Sequence, residues 1–267
     1  MIIERLFKAK DPRLLLIAGP CVIEDYDMTF NIAAHLRKLS LYFGIPFLFK
    51  ASYDKANRSS FHSYRGPGHK EGLEILSCIR QELEIEVMSD VHRISEIEEA
   101  AEVLDVIQIP AFLSRQTDLI IEVAKTFTPI NVKKGQFAAP MDMVNTVLKM
   151  ESVGAKYIML TERGTCFGYH DLVVDMRSIP IMKESTGCPV IFDATHSVQT
   201  PGSRGETSGG KVEFAPVLAK AAVAAGADGV FIETHPQPDK ALCDGPNSIA
   251  LKDMHGLIRE LLKLRGE

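Results

Sequence analysis

The chain has 267 residues, 46% of them hydrophobic and 24% charged, a balance that excludes an extended disordered or coiled-coil protein and suits an ordinary globular one. A formal net charge of −5 gives no broad positive field, so neither nucleic acid nor an anionic membrane is an expected partner, and an anionic substrate needs a local basic cluster. Cys21, Cys78, Cys166, Cys188 and Cys243 are odd in number and lack CxxC spacing, as reduced thiols of a cytosolic protein do.

The chain opens with MIIERLFKAKDPR, where charges interrupt a short apolar stretch and no small-residue cleavage site follows; no leader is expected. The longest apolar runs are too short to cross a bilayer, and a cytoplasmic protein is predicted. Buried-strand character then recurs at 14–18, 46–50, 85–88, 106–109, 129–132, 157–160, 189–192 and 229–232. These runs are rich in Ile, Val, Leu and Phe rather than alternating apolar with polar, which suits strands covered on both faces of a parallel sheet. Between them, apolar residues at three- and four-residue intervals predict helices over 28–41, 71–81, 94–104, 118–126, 141–153, 211–225 and 251–264. The Gly-rich stretches 65–68 and 201–210 follow strand candidates and read as loops, the second with the Gly/Ser content of a lid. Eight βα units at roughly thirty-residue spacing predict an α/β fold, a single (β/α)₈ TIM barrel, with residues 1–267 as one catalytic domain. A doubly wound open sheet is the alternative, but the turn Ala18-Gly-Pro-Cys21 lacks the GxGxxG that fold carries after its first strand.

A barrel of this kind places catalytic groups at the C-terminal ends of its strands. Those ends carry Gly19-Pro-Cys21; Lys50, Lys55, Asn57 and Arg58; Asp90 and His92; Gln108; Lys133 and Lys134; Glu162 and Arg163; Asp193 and His196; Glu233 and His235. Loop tips are polar in most proteins, but reactive groups at the ends of so many buried strands predict one shared site. Lys50, Lys55, Arg58, Lys133 and Arg163 are suited to phosphates and carboxylates, and more than one anion is expected. Lys134 points oppositely to Lys133 and is predicted to be a solvated surface cation. Cys21, His196, Glu233 and Asp244 offer a thiolate, an imidazole and two carboxylates, which closure of strand one onto strand eight brings together. That mixture suits Zn²⁺, Fe²⁺, Mn²⁺ or Co²⁺ better than Mg²⁺ alone, yet spacing does not separate a metal site from a packed thiol and histidine.

The stretches Ala18-Gly-Pro-Cys21, Phe49-Lys-Ala-Ser-Tyr-Asp-Lys-Ala-Asn-Arg-Ser-Ser60, Gln108-Ile-Pro-Ala-Phe-Leu113, Asn131-Val-Lys-Lys-Gly-Gln-Phe137, Thr161-Glu-Arg-Gly164, Phe192-Asp-Ala-Thr-His-Ser197 and Glu233-Thr-His-Pro236 resemble those of the 3-deoxy-D-manno-octulosonate 8-phosphate synthases, over nearly the whole chain. The related heptulosonate 7-phosphate synthases share the barrel but have Lys-Pro-Arg-Thr where this chain has Lys55-Ala-Asn-Arg58. The resemblance implies condensation of phosphoenolpyruvate with D-arabinose 5-phosphate and water in the pathway to the lipopolysaccharide inner core, with release of phosphate by C–O cleavage and no Schiff base. It implies that Lys55, Lys133 and Arg163, with Gln108 and a backbone amide near Ala111, hold phosphoenolpyruvate, and that Asn57, Arg58, Ser59 and Asp90 hold the aldose phosphate. Lys50 joins the substrate-binding set, and Lys55, Asn57, Asp90, Lys133 and His196 are the catalytic candidates. Arg115 is similar to an arginine that reaches a neighbouring subunit's site, so a homotetramer is implied. Members without metal have Asn at the position of Cys21; the cysteine here, with His196, Glu233 and Asp244, implies a divalent metal (Fe²⁺, Zn²⁺, Mn²⁺ or Co²⁺) and leaves Cys78, Cys166, Cys188 and Cys243 as structural. The competing expectations are a heptulosonate synthase using erythrose 4-phosphate, a sialic acid synthase-like enzyme, which would bring a further C-terminal domain, and a non-catalytic phosphate- or metal-binding barrel.

Overall fold

The computed structural model describes residues 13–58, 60–169, 171–200 and 209–266. Eight parallel strands, β1 (Leu15–Gly19), β2 (Phe47–Lys50), β3 (Glu86–Asp90), β4 (Val106–Ile109), β5 (Ile130–Lys133), β6 (Ile158–Glu162), β7 (Val190–Asp193) and β8 (Gly229–His235), pair in chain order. β8 returns to β1 in parallel register, from Leu15 opposite Gly229 to Gly19 opposite Glu233, and the sheet closes as the predicted (β/α)₈ barrel. Around it lie α1 (Tyr26–Phe43), α2 (His69–Leu83), α3 (Ile97–Val103), α4 (Thr117–Lys125), α5 (Met143–Glu151), α6 (Ser178–Thr186), α7 (Ala215–Ala224) and α8 (Met254–Arg265). Local chemistry sets the bounds of these helices: Asp25 caps α1 by accepting the Met28 N–H at 2.7 Å, and Gly44, at φ +66°, ends it in the left-handed conformation.

Successive strand side chains point to opposite faces. Leu14, Leu16 and Ala18 join the larger core under the helices with Ile32 and Leu36. The inward row, Leu15, Ile17, Leu48, Met88, Val106, Met159, Ile191 and Phe231, fills the lower barrel as a separate cluster. Two residues further along, the same row becomes Lys50, Asp90, Gln108, Thr161, Asp193 and Glu233, all buried. One face of one sheet is thus an apolar plug below and a charged floor above.

This explains where the strands depart from the apolar runs. Six of them end one to three residues later than expected, and in β3, β5, β7 and β8 the inward Asp90, Lys133, Asp193 and Glu233 remain part of the strand. A hairpin of Thr165–Gly168 with Asp171–Val173 follows β6 and was not expected, and neither was α6, whose Pro180 reads as a breaker. In the first turn of a helix a proline forfeits no hydrogen bond, so Pro180 is tolerated there. Residues 201–208 of the expected lid lie outside the described residues; Gly209–Gly210 pairs antiparallel with Gln199–Thr200. Among the described residues no helix is long and apolar enough to cross a membrane.

Closure is tight where β1 meets β2. A Cβ on Gly19 would lie 2.0 Å from the Lys50 carbonyl oxygen, an atom of the ladder that cannot swing aside, whereas one on Gly256 in α8 meets nothing within 4 Å. Gly19→Ala is therefore expected to destabilise by about 1–3 kcal/mol and Gly256→Ala to stabilise by about 0.5–1 kcal/mol, compared by urea unfolding.

Candidate active site

The charged floor opens into a cavity of about 670 Å³ whose lining includes Lys50, Lys55, Asn57, Arg58, Asp90, Gln108, Ala111, Lys133, Arg163, His196 and Asp244. The expected substrate-binding residues converge here with two exceptions. Arg115 is exposed and does not line the cavity of its own chain, and Ser59 lies outside the described residues. Glu162 and His235 are not in the lining, and Lys134 corrects its expectation outright. It is fully buried, with Nζ 3.5 Å from Glu162 Oε1, donating to the Ala138 carbonyl and Thr165 Oγ1 at 3.2 Å each. Pointing away from Lys133 leads it between the 134–139 loop and the end of β6 rather than into solvent, where the loop supplies the Ala138 carbonyl and the chain after β6 supplies Thr165.

The floor alternates in charge. Lys50, only 1% exposed, donates to Ser52 Oγ at 2.6 Å and stands 3.4 Å from Asp90 Oδ1 and 3.6 Å from Glu233 Oε1. Lys55 Nζ faces the same Glu233 oxygen at 3.8 Å. Across the barrel, Lys133 Nζ meets Asp193 Oδ2 at 2.6 Å and sits 3.7 Å above the Phe231 ring. His196 Nδ1 shares that Asp193 oxygen at 2.8 Å, which turns Nε2 toward Glu233 Oε2 at 3.6 Å and Asp244 Oδ2 at 3.9 Å. Lys50, Asp90, Lys133, Asp193 and Glu233 thus each face an opposite charge, as removal from water demands.

Desolvation is the largest influence on Asp90, Asp193 and Glu233 and raises each pKa, and the cations overcome it. Lys50 and the hydrogen-bonding His92 hold Asp90 well below its usual value, and His196, Lys55 and Lys50 draw Glu233 down to about 2. For Lys133 and Arg163 desolvation wins and lowers the pKa, with Asp193 opposing it. The Cys21 thiol is pushed up, first by burial and then by Cys243.

The expected metal ligands also converge, but as two overlapping groups. The donor atoms of His196, Glu233 and Asp244 lie within 4.8 Å of one another, as do those of Cys21, Cys243 and Asp244. Both Glu233 oxygens are buried without a hydrogen-bond partner among the described residues, an arrangement a cation would complete. Cys243, expected to be merely structural, lies 2.7 Å from Cys21 through sulfur. The signal for it was its place directly before Asp244, whose left-handed backbone, φ +46°, sets the turn that carries both side chains. Gln199, which links Arg163 (3.2 Å) to Asp244 (3.3 Å), and Ser52 were also missed. Neither is charged, and polar amides and hydroxyls give no distinctive pattern in a sequence.

With this geometry in view, a profile of the DAHP synthetase I family matches residues 2–265. The chain is 59% identical over 252 residues to a 2-dehydro-3-deoxyphosphooctonate aldolase of Desulfosudis oleivorans, covering 94% of this chain and 90% of that one. It is 57% identical to the protein of that name from Desulfotalea psychrophila over the same shares, and 59% identical to that of Pelobacter propionicus, covering 95% and 92%.

Asp90→Asn leaves Lys50 with half its counter-charge and is expected to cost about 3–5 kcal/mol at neutral pH. The folded pKa of Asp90 lies below its unfolded value, so its contribution is complete above about pH 4 and is lost as pH falls through the folded value. Urea midpoints of the wild type and the variant should therefore differ most near neutrality and converge in acid.

Proposed function

The chain belongs to the DAHP synthetase I family, and we propose that it condenses phosphoenolpyruvate with D-arabinose 5-phosphate and water to give 3-deoxy-D-manno-octulosonate 8-phosphate and inorganic phosphate, a step toward the lipopolysaccharide inner core. The observation that carries this reading is 57–59% identity to proteins named for the eight-carbon ulosonate phosphate, with Lys55, Asn57 and Arg58 of the diagnostic stretch on the cavity wall.

Two anionic substrates must lie side by side with the C3 methylene of phosphoenolpyruvate against the sugar aldehyde. In this reading Lys55, Lys133 and Arg163 hold the phosphate and carboxylate of phosphoenolpyruvate, aided by Gln108 and the backbone at Ala111. Arg163 keeps Nη1 buried and without a partner among the described residues, a donor ready for an anion. Asn57, Arg58, Ser59 and Asp90 take the aldose phosphate. Lys50 acts from beneath: its ammonium is engaged by Ser52, Asp90 and Glu233, so it fixes the floor and adds charge. Fixing both partners in a reactive pose supplies ~7–11 kcal/mol of the barrier. Lys133, held by Asp193 at 2.6 Å, contributes charge rather than a nucleophile, in keeping with a reaction in which water adds to C2 and phosphate leaves.

Cys21, His196, Glu233 and Asp244 fit a divalent cation, for which the two buried Glu233 oxygens, without a hydrogen bond among the described residues, are the strongest support. Such an ion supplies Lewis-acid polarisation of an oxygen at the mouth when bound. Asp193 orients His196 through Nδ1, leaving Nε2 for that role. The exposed Arg115 completes a neighbouring subunit's site in a homotetramer, and the enzyme works in the cytoplasm on small molecules.

Phosphate release measured with each aldose phosphate tests the reading. Turnover with arabinose 5-phosphate is expected to exceed that with erythrose 4-phosphate, to stop with chelator and to return with divalent metal. Preference for erythrose 4-phosphate would overturn the substrate assignment, and full turnover by metal-free protein would overturn the metal assignment.

A further inference from the structure

Lys134 and Glu162 form a buried charge pair that the proposed reaction does not use. Lys134 is fully buried and Glu162 is 1% exposed, Nζ stands 3.5 Å from Oε1, and neither residue lines the substrate cavity. Stability alone does not call for such a pair, because the cost of taking both charges out of water cancels much of their attraction, and apolar residues of similar volume serve a core as well. Glu162 Oε2 adds to that cost, since it is buried without a hydrogen bond among the described residues.

What the pair touches is the backbone that carries two of the substrate-binding cations. Lys133 lies opposite Thr161 in the β5–β6 ladder, and the Lys134 N–H, donating to the Thr161 carbonyl at 2.8 Å, is its last rung. Arg163 stands two residues beyond that rung and is followed by Gly164 at φ +91°, so the ladder does not fix its distance from Lys133. The outward side chains do. Strand alternation places Lys133 and Arg163 on the cavity side and Lys134 and Glu162 behind them. Glu162 Oε1 accepts the Gly164 N–H at 2.7 Å, and Lys134 Nζ donates to Thr165 Oγ1 and to the Ala138 carbonyl at 3.2 Å each. The Cys166 N–H, donating to the Gln136 carbonyl at 2.8 Å, closes the frame. Among the described residues the guanidinium of Arg163 is itself held by Gln199 at 3.2 Å through Nη2, while Nη1 makes no hydrogen bond.

We propose that Lys134 and Glu162 are positioning residues for phosphoenolpyruvate: acting through the backbone of 134–138 and 163–165, the pair sets the separation of Lys133 and Arg163 so that both meet one substrate anion. A frame of this kind strengthens binding by holding the donors in place before the substrate arrives. The inference rests on the reading of these two cations as the phosphoenolpyruvate site.

Steady-state kinetics of the full-length protein supplied with divalent metal test it, with the double substitution Lys134→Met and Glu162→Gln, which removes both charges and leaves neither unpaired. The expected result is a rise of about tenfold in the KM for phosphoenolpyruvate, with the KM for arabinose 5-phosphate within about twofold of wild type. In an Arg163→Ala background the same substitutions are expected to add less than about threefold, because the cation they position is gone. A merely structural role would lower kcat in both backgrounds alike and leave the KM for phosphoenolpyruvate unchanged, and that result overturns the proposal. Thr165→Val is the second variant, for use if the double variant does not fold. Thr165 is exposed and the change removes only the bond from Lys134 to the turn after β6, so a rise of about threefold in the same KM is expected, and no rise overturns the proposal. Wild-type protein that does not turn over phosphoenolpyruvate overturns the substrate reading as well, whereas wild-type turnover with an unchanged KM in the variants overturns this inference alone.

Discussion

Glu233 holds a negative charge where no water reaches it, and the upper half of the barrel is arranged around that fact. Lys50, Lys55 and His196 each face one of its oxygens, at 3.6, 3.8 and 3.6 Å. Asp193 plays the same part across the barrel, binding Lys133 and His196 through one oxygen. Pairing of this kind adds little net stability, because the cost of desolvation cancels much of the attraction. It fixes positions instead: ammonium and imidazole groups that would wander in water are held along the floor of a cavity where two anions must meet.

Barrel closure makes that pairing available. Glu233 lies directly opposite Gly19 in the β1–β8 ladder, two residues before Cys21, and β8 lies beside β7, which ends at Asp193. Residues separated by most of the chain therefore share one floor. Gly19 is part of the same arrangement, because a side chain there would push β1 from β2 and carry Lys50 away from Glu233. Below, Phe231 and its apolar neighbours exclude water from the underside of the lattice, and Phe231 presents its ring to Lys133.

Much of this was legible in the sequence, for reasons that also mark where legibility ended. Parallel strands buried on both faces stand out as apolar runs, and strand count and spacing were enough for the barrel. Residues such as Lys50, Asp90 and Asp193 drew attention because charge at the end of a buried strand is unusual. The end of β8 was misplaced by the same signal, since counting apolar residues stops at the inward Glu233, and that of β3 because it stops at Ser89, one residue before Asp90. Lys134 shows a deeper limit: strand alternation gave its direction correctly, but whether solvent or a folded-back loop lies in that direction depends on tertiary structure. The partnership of Cys243 with Cys21 depends on a left-handed turn at Asp244 that a non-glycine residue does not announce.

In the proposed reaction, cations of the cavity rather than the metal ion hold phosphoenolpyruvate: Lys133 is fixed by Asp193, and Arg163 has an Nη1 without a hydrogen bond among the described residues. Calorimetric titration of phosphoenolpyruvate into chelator-treated wild-type protein and into Arg163→Ala tests it most directly. The account predicts one molecule bound per chain without metal and an affinity at least about tenfold weaker in the variant, a loss of about 1.4 kcal/mol or more. Equal affinity in the two proteins, or no binding by metal-free wild type, would contradict it.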